Sequence, residues 1–236
     1  MRVLLVGSGG REYAMAMALA ASPRCDELHV APGNGGTCML PKTQNVNIKA
    51  TDIDGLLGFA LEHDIELTIV GPDDPLALGI VDKFQAAGLR IFGPTAEAAR
   101  IEASKAWAKE LMRKAGIKTA GYRICTEHEE ALAYVHEHGA PVVIKASGLA
   151  LGKGVYVCQT LEEATTALRA IMVDRVYGSA GDQVVIEDFL EGPEISIHAF
   201  CDRNRSFVLS PAIRDHKQIG EGGTGPNTGG MGTIAP

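Results

Sequence analysis

The chain of 236 residues is 46% apolar and carries a formal net charge of −7, enough for about two modest domains with ordinary packed cores. An acidic balance without a long basic run argues against nucleic acid or an anionic membrane surface as the main partner, while local loops could still hold a nucleotide's phosphates. Five scattered cysteines (Cys25, Cys38, Cys125, Cys158, Cys201), never spaced as CxxC, suggest neither a disulfide framework nor a zinc site, and fit a reducing cytoplasm.

"MRVLLVGSGG" starts a strand at once. Its apolar run is too short for a signal peptide, and no later run approaches membrane-spanning length. "RVLLV", "ELHVA", "ELTIV" and "RIF" read as buried parallel strands, and "REYAMAMALAA", "DIDGLLGFALEH" and "PLALGIVDKFQAAG" as the helices between them. This predicts a doubly wound α/β domain over residues 1–93, whose loops "GSGGRE", "APGNGGT" and "GPDDP" follow strand C-terminal ends, where open α/β sheets bind ligands. A helical linker, "TAEAARIEASKAWAKELMRKAG", occupies most of residues 94–120. Beyond it come "YRICT", a capped helix from Thr126, "PVVIKA", "GVYVC", a second capped helix from Thr160, "QVVIEDF", "EISIHAF" and "SFVLSPAI". The boxes "TEHE" and "TLEE" carry the two caps, and "CDRNRSF" reads as a hairpin turn. This second unit is α+β and antiparallel in part, with one subdomain over 121–185 and another over 186–236.

The first loop begins like a dinucleotide fingerprint, with Gly7 and Gly9 after a strand. Position 12 is Glu rather than the third glycine, and "HVAPGN" lacks the acidic residue that would hold a ribose, so NAD is not expected. What remains is a glycine turn whose N–H groups and helix N-terminus could hold a phosphate beside Arg11, or a tight turn that only packs helix on sheet. "KASGLALGKGV" echoes a Walker loop but fails it: the glycines are too close, Gly154 stands where Ser or Thr should hold magnesium, and a strand follows. A glycine hairpin between strands suits a flap over a triphosphate, with Lys153 adding charge. Lys145, ending an apolar strand just before it, is placed to meet phosphate. In "VVIEDFLEGPEIS", Glu187, Asp188, Phe189 and Leu190 could offer backbone groups to an adenine edge, and Glu194 could bind ribose hydroxyls. An edge strand with solvated carboxylates is the alternative. Alternation in "EISIHAF" makes His198 structural rather than catalytic.

A strand lysine, a glycine flap, a strand ending "EDFLEG" and a downstream acidic residue together resemble the ATP-grasp ligases. More closely, "VLLVGSGGRE", "VAPGNGGT", "TIVGPDDPL", "IFGPTAEAA", "ASKAWAKELM", "VVIKASGLALGKGV", "VIEDFLEG", "DHK" and "TGPNTGGMG" resemble, in order and spacing, the glycinamide ribonucleotide synthetase (phosphoribosylamine-glycine ligase) family. The resemblance runs from residue 2 to 236. It implies a fold of an N-terminal doubly wound parallel-sheet domain, the pre-ATP-grasp domain, followed by an incomplete ATP-grasp domain. It implies a reaction in which ATP phosphorylates glycine and the acyl phosphate is attacked by 5-phosphoribosylamine, a step of de novo purine biosynthesis. Carried over by residue, Lys105 and Lys145 would contact ATP phosphates. Gly148, Gly152, Lys153 and Gly154 would form the flap, Glu187, Asp188, Phe189 and Leu190 the adenine hinge, and Glu194 the ribose contact. Lys217 and Asn227 would lie near the phosphates and glycine, and Lys145, Lys217 and Asn227 would serve catalysis. Gly9, Gly10, Arg11, Glu12 and Asp73, with Asp215, Asn227, Thr228 and Gly229, would face the substrates.

The sequence departs from the family pattern at Tyr13, where a His is usual, and at Asp73, where a Glu is usual. The family's chain continues past Pro236 with a Glu and an Asn that bind Mg2+, so no metal ligand is expected among these residues, and a shortened chain with little activity of its own is the expectation. Two alternatives stay open: another ATP-grasp ligase, or a non-catalytic nucleotide-binding module completed by a second chain. The resemblance leaves room for fusion to, or association with, other enzymes of the pathway.

Overall fold

A computed structural model describes residues 1–150, 153–202, 204, 206–228 and 230–235. The chain divides into two compact units, Met1–Ser104 and Lys105–Pro236.

Unit 1 is built on a five-stranded parallel sheet of order β3-β2-β1-β4-β5. Its strands are β1 (Arg2–Gly7), β2 (Glu27–Pro32), β3 (Thr43–Asn45), β4 (Leu67–Val70) and β5 (Ile91–Phe92). β1 is buried on both faces, as a central parallel strand requires. Val3 and Leu5 join Ala16, Leu28 and Val30 in one core. Leu4 and Val6 join Leu56, Ile80, Val81 and Phe84 in the other. Helix α1 (Gly10–Ala21) contributes Ala16 to the first face; α2 (Ile53–Glu62) and α4 (Ile80–Ala86) cover the second.

The doubly wound sheet agrees with the sequence, and the details differ in two places. β3 was not expected, because "TQN" is short and polar; its pairing with β2 runs Leu28↔Thr43 to Val30↔Asn45. The single helix expected over "PLALGIVDKFQAAG" is two, α3 (Asp73–Ala77) and α4, separated at Gly79, whose φ of 82° lies in the left-handed region that glycine adopts freely. The helical linker is likewise two helices. α5 (Ala96–Ala103) is capped by Thr95 and lies in unit 1; α6 (Lys105–Lys114) opens unit 2.

Unit 2 holds an antiparallel sheet of order β6-β9-β7-β8, from β6 (Tyr122–Cys125), β7 (Val142–Ala146), β8 (Val155–Cys158) and β9 (Val184–Asp188). Val142, Ile144, Ala146, Val184 and Ile186 form one core with α7 (His128–His138) and α8 (Leu161–Leu168), through Ala131, Val135, Ala164 and Leu168. Thr160 caps α8 by accepting from the Glu163 N–H at 3.2 Å, and the Glu163 carboxylate accepts from Gln159 N–H at 2.7 Å, one residue earlier than a reciprocal box would have it. The expected box at Thr126 does not form: α7 begins after Glu127, with no side-chain cap.

Residues after β9 carry short hairpins. β10 (Ala199–Cys201) pairs with β11 (Phe207–Leu209), and Asp202 Oδ1 accepts from Asn204 and Ser206 N–H groups to close the expected turn. β12 (Arg214–Asp215) pairs with β15 (Thr233–Ile234), and β13 (Gln218–Gly220) with β14 (Thr224–Asn227). Large apolar side chains stand open here: Leu190, Ile195, Ile197, Phe207, Val208, Ile219 and Ile234 are all exposed.

Candidate functional site

Strand alternation decides which side chains of unit 2 meet. In β7 and β9 the residues Val142, Ile144, Val184 and Ile186 turn to the core, leaving Val143, Lys145, Val185 and Glu187 on the opposite face. The register sets Val143 against Glu187 and Lys145 against Val185, so Lys145 and Glu187 are diagonal neighbours on that face. Lys145 Nζ donates to Glu187 Oε2 at 2.9 Å. Lys109, from α6, brings a second ammonium to the same oxygen at 3.2 Å, and donates to Thr119 Oγ1 at 2.6 Å and the Ala120 carbonyl at 3.4 Å. Glu187 is 7% exposed and Lys109 6%, whereas the Lys145 side chain keeps 26%. Buried charges persist only when paired, and here one carboxylate is shared by two ammonium groups.

Tyr122, opposite Glu187 in β6, sets its ring 5.4 Å from Lys109 Nζ and donates its hydroxyl to Glu110 Oε1 at 2.8 Å. Burial and that bond push the Tyr122 phenol up, while the Arg113 guanidinium, then Tyr122, hold Glu110 below the usual carboxylate range. Because β9 lies between β6 and β7, the edge-strand alternative fails for Glu187: it sits on an inner strand and is buried. Asp188 is half-buried; its N–H donates to the Gly121 carbonyl at 3.0 Å, and its carboxylate lies 3.4 Å from His138 Nε2.

Lys105 begins α6. Its N–H donates to the Ser147 carbonyl at 2.8 Å and its Nζ to the Gly148 carbonyl at 3.0 Å, so the helix start is tied to the end of β7 where the glycine hairpin leaves. Gly148 is pressed against Ala180, where a Cβ would come within 2.7 Å of the Ala180 Cα. Gly154 is buried and returns the chain to the sheet through Ala146 N–H, at 2.8 Å to its carbonyl. The Lys153 side chain is exposed. Its carbonyl accepts from Tyr177 Oη at 2.8 Å, and Tyr177 Oη lies 2.8 Å from Tyr156 Oη. Burial, then Tyr177, pushes the Tyr156 phenol up to about 12, so the Tyr156 hydroxyl keeps its proton throughout the neutral range. Gly152 and Gly229, both named from the sequence, lie outside the described residues.

Phe189 is half-buried and Leu190 exposed at the end of β9. Glu194 and Lys217, expected at ribose and phosphates respectively, form an ion pair with each other. Thr228 N–H and Oγ1 both donate to the Lys217 carbonyl, at 2.7 and 2.8 Å, which brings the Asn227–Thr228 end of β14 beside Lys217. Asp215 stands in β12 opposite Thr233. Ser196 pairs with Ile213, the His198 N–H donates to Ser210 Oγ at 2.9 Å, and the His198 side chain is exposed. Among the described residues no group of three or more His, Cys, Asp or Glu side chains is placed to hold a metal ion.

In unit 1 the strand order reverses between β1 and β4, and their C-terminal loops meet there. Arg11 Nη1 donates to the Gly71 carbonyl at 2.7 Å and lies 4.0 Å from Asp73 Oδ1. Glu12 turns inward: it is 4% exposed, its Oε2 accepts from Gly9 N–H at 2.6 Å, and its side chain fills the space a Cβ at Gly7 or Gly71 would take. The expectation that Glu12 faces a ligand is therefore corrected. The residue braces the loop, and the cation left at its rim is Arg11, whose side chain is 64% exposed. The Tyr13 ring rests on Gly36, where a Cβ would lie 2.8 Å from the ring. A groove of about 750 Å³ lined by Arg2, Lys42 and Glu66 lies at the other end of the sheet, at strand starts, away from where such sheets bind ligands.

Sequence reasoning missed two sets of residues. Asn34, Thr37 and Asn45 knit the loops together: Asn34 Nδ2 donates to the Ser8 carbonyl at 2.9 Å, its Oδ1 accepts from Gly36 and Thr37 N–H groups, and Asn45 Nδ2 donates to the Asn34 carbonyl at 2.8 Å. An Asn before two glycines was the available signal. Lys109 was the other, signalled by its spacing of one helical turn from Lys105.

Two family models match in succession: the phosphoribosylglycinamide synthetase N domain over residues 1–102 and the ATP-grasp (A) domain over residues 103–236. A phosphoribosylamine-glycine ligase of Xanthomonas campestris pv. campestris is 52% identical over all 236 residues, which cover 54% of that protein. The crystal structure of a phosphoribosylamine-glycine ligase from Thermotoga maritima is 34% identical with a TM-score of 0.77, over 99% of this chain and 55% of that one. A biotin carboxylase domain of Hydrogenobacter thermophilus 2-oxoglutarate carboxylase, solved with MgADP, shares the fold at 20% identity and a TM-score of 0.73, over 92% of this chain and 50% of that one. The chain thus spans about half the length of the curated relatives it matches.

Proposed function

The chain belongs to the phosphoribosylglycinamide synthetase family, and from that membership we propose that it serves in joining glycine to 5-phosphoribosylamine at the expense of ATP. The observation that carries this is the 52% identity maintained over all 236 residues with a phosphoribosylamine-glycine ligase. In the proposed reaction a glycine carboxylate oxygen attacks the γ-phosphorus of ATP, the bond to the β-γ bridging oxygen breaks, and ADP leaves. The amine of phosphoribosylamine then attacks the acyl carbon of glycyl phosphate, loses a proton and expels phosphate, giving glycinamide ribonucleotide.

Such phosphoryl transfer asks a protein mainly for positioning and charge neutralisation. Lys145 is suited to both, since Glu187 fixes its ammonium at 2.9 Å while part of the side chain stays open. Lys105, at the root of the glycine hairpin, would hold a neighbouring phosphate, with Gly148, Lys153 and Gly154 closing over the chain of phosphates to keep water from the acyl phosphate. Backbone groups of Glu187 to Leu190 would meet the adenine and Glu194 the ribose; Lys217, Asn227 and Thr228 would lie toward glycine. Arg11 and Asp73, at the sheet's switch point, would meet phosphoribosylamine. The charge neutralisation assigned to the described residues falls to these lysines and to backbone N–H groups. A cytoplasmic setting, with the thiols free, belongs to the same reading.

The test is a chimera in which residues 1–236 replace the matching stretch of the Xanthomonas campestris ligase. Glycine-dependent release of ADP with formation of glycinamide ribonucleotide is expected. A folded chimera that consumes ATP with bicarbonate but not glycine, or not at all, would sink the proposal.

A further inference from the structure

We propose that Lys109 is a positioning residue for nucleotide binding: by sharing the Glu187 carboxylate, it keeps the Lys145 ammonium available to a polyphosphate instead of being consumed as that carboxylate's counter-ion. The inference rests on the reading of Lys145 as a phosphate contact, and goes beyond it by assigning a residue that would not touch the nucleotide.

An ammonium has three donors. Lys109 has an acceptor for each: Thr119 Oγ1 at 2.6 Å, Glu187 Oε2 at 3.2 Å and the Ala120 carbonyl at 3.4 Å. It is 6% exposed, so it has neither the donors nor the access to meet a ligand. Lys145 differs on both counts. Its acceptor is the same Glu187 oxygen, at 2.9 Å, and a quarter of its side chain stays open. The three groups together carry one net positive charge, and the Lys109 share of it is locked inside. Were Lys109 neutral, the buried Glu187 charge would rest on Lys145 alone. In a poorly polarisable setting that pair would close on itself, because a buried charge without its partner is costly. Lys145 would then pay for leaving it each time a phosphate bound. A purely structural ion cluster would brace α6 against β9 and have no such preference for charged ligands.

The experiment uses the 236-residue chain with two probes, ATP and adenosine, titrated calorimetrically, and circular dichroism to verify folding. Lys109→Met should weaken ATP binding by about tenfold or more, the scale of one lost charge contact, and leave adenosine within about twofold. Lys109→Met combined with Glu187→Gln should recover most of the loss, since removing the carboxylate's charge frees Lys145 again. The double variant leaves no buried charge without a partner, so it serves as the test should Lys109→Met alone fail to fold: ATP affinity near that of the parent chain is expected, and a loss of ATP binding in a folded double variant would overturn the proposal. Equal effects on ATP and adenosine, no effect on either, or a double variant no better than the single one would overturn the role given to Lys109 while leaving the nucleotide site standing. A parent chain that binds adenosine and ATP equally weakly would overturn the phosphate reading of Lys145 and this inference with it.

Discussion

Lys145 was legible from the sequence because a lysine ending an apolar strand needs a partner for its charge; that its protein partner is Glu187 was not, because the pairing depends on β9 lying beside β7. The structure sharpens the expected behaviour of a Lys145→Met variant. Glu187 keeps Lys109 as a counter-ion, so the fold should survive, while ATP-dependent turnover of the chimera falls by about a hundredfold or more. Lys114→Met, on the exposed side of α6, should change turnover little, and a steady-state assay of both variants checks the pair. His29 shows the opposite case of a titratable group with no part in the site. It is buried, its Nδ1 has no hydrogen-bond partner, its Nε2 lies 3.2 Å from Glu27, and it sits beside Phe59 and His63. Burial, opposed by Glu27, holds its pKa below the ordinary 6.5. Below about pH 6.5 the unfolded imidazole binds a proton that the folded one refuses, so stability falls as the pH drops through that value toward the lower folded pKa, and is unaffected by His29 well above it. Thermal melts at pH 7.5 and 5.5 (about two pH units apart, spanning that step) should show a smaller drop for His29→Leu than for the parent chain. An equal drop would locate the sensitivity elsewhere.

Among the elements, the strands and helices with strong apolar periodicity were readable, and their interruptions were not. The helical pattern of "PLALGIVDKF" runs straight through Gly79, and only the left-handed backbone there divides α3 from α4. Gly79→Ala has room for its methyl, with the nearest atoms 3.8 Å away, so its cost is conformational, about 1–2 kcal/mol. Denaturant titration should register that loss; an unchanged midpoint would mean that α3 and α4 tolerate fusion into one helix. β3 escaped notice because it is held by backbone pairing and by Asn45 and Thr37, not by an apolar face. The inner position of β9 escaped for a different reason: strand order in a sheet is a property of distant pairings, which local alternation does not encode.

At the scale of the whole molecule, the two-unit organisation was readable as a change from parallel α/β to antiparallel α+β, while the boundary at Ser104 and Lys105 fell inside what read as one helical segment. The five thiols follow the same division between core and surface. Cys25, Cys125 and Cys158 are buried, and burial pushes all three up, Cys158 to about 11; Cys38 and Cys201 are exposed. Iodoacetamide at neutral pH should therefore label Cys38 and Cys201 at least about tenfold faster than the others, as peptide mass mapping would read. Fast labelling of Cys158 would contradict the packing of β8 on α8. Between residues 190 and 234 the open side chains of Phe207, Val208 and Ile219 are apolar surface that a fluorescent dye can occupy. The 236-residue chain should therefore brighten such a dye while still melting cooperatively, so that dye binding by itself is no sign of a loosened core.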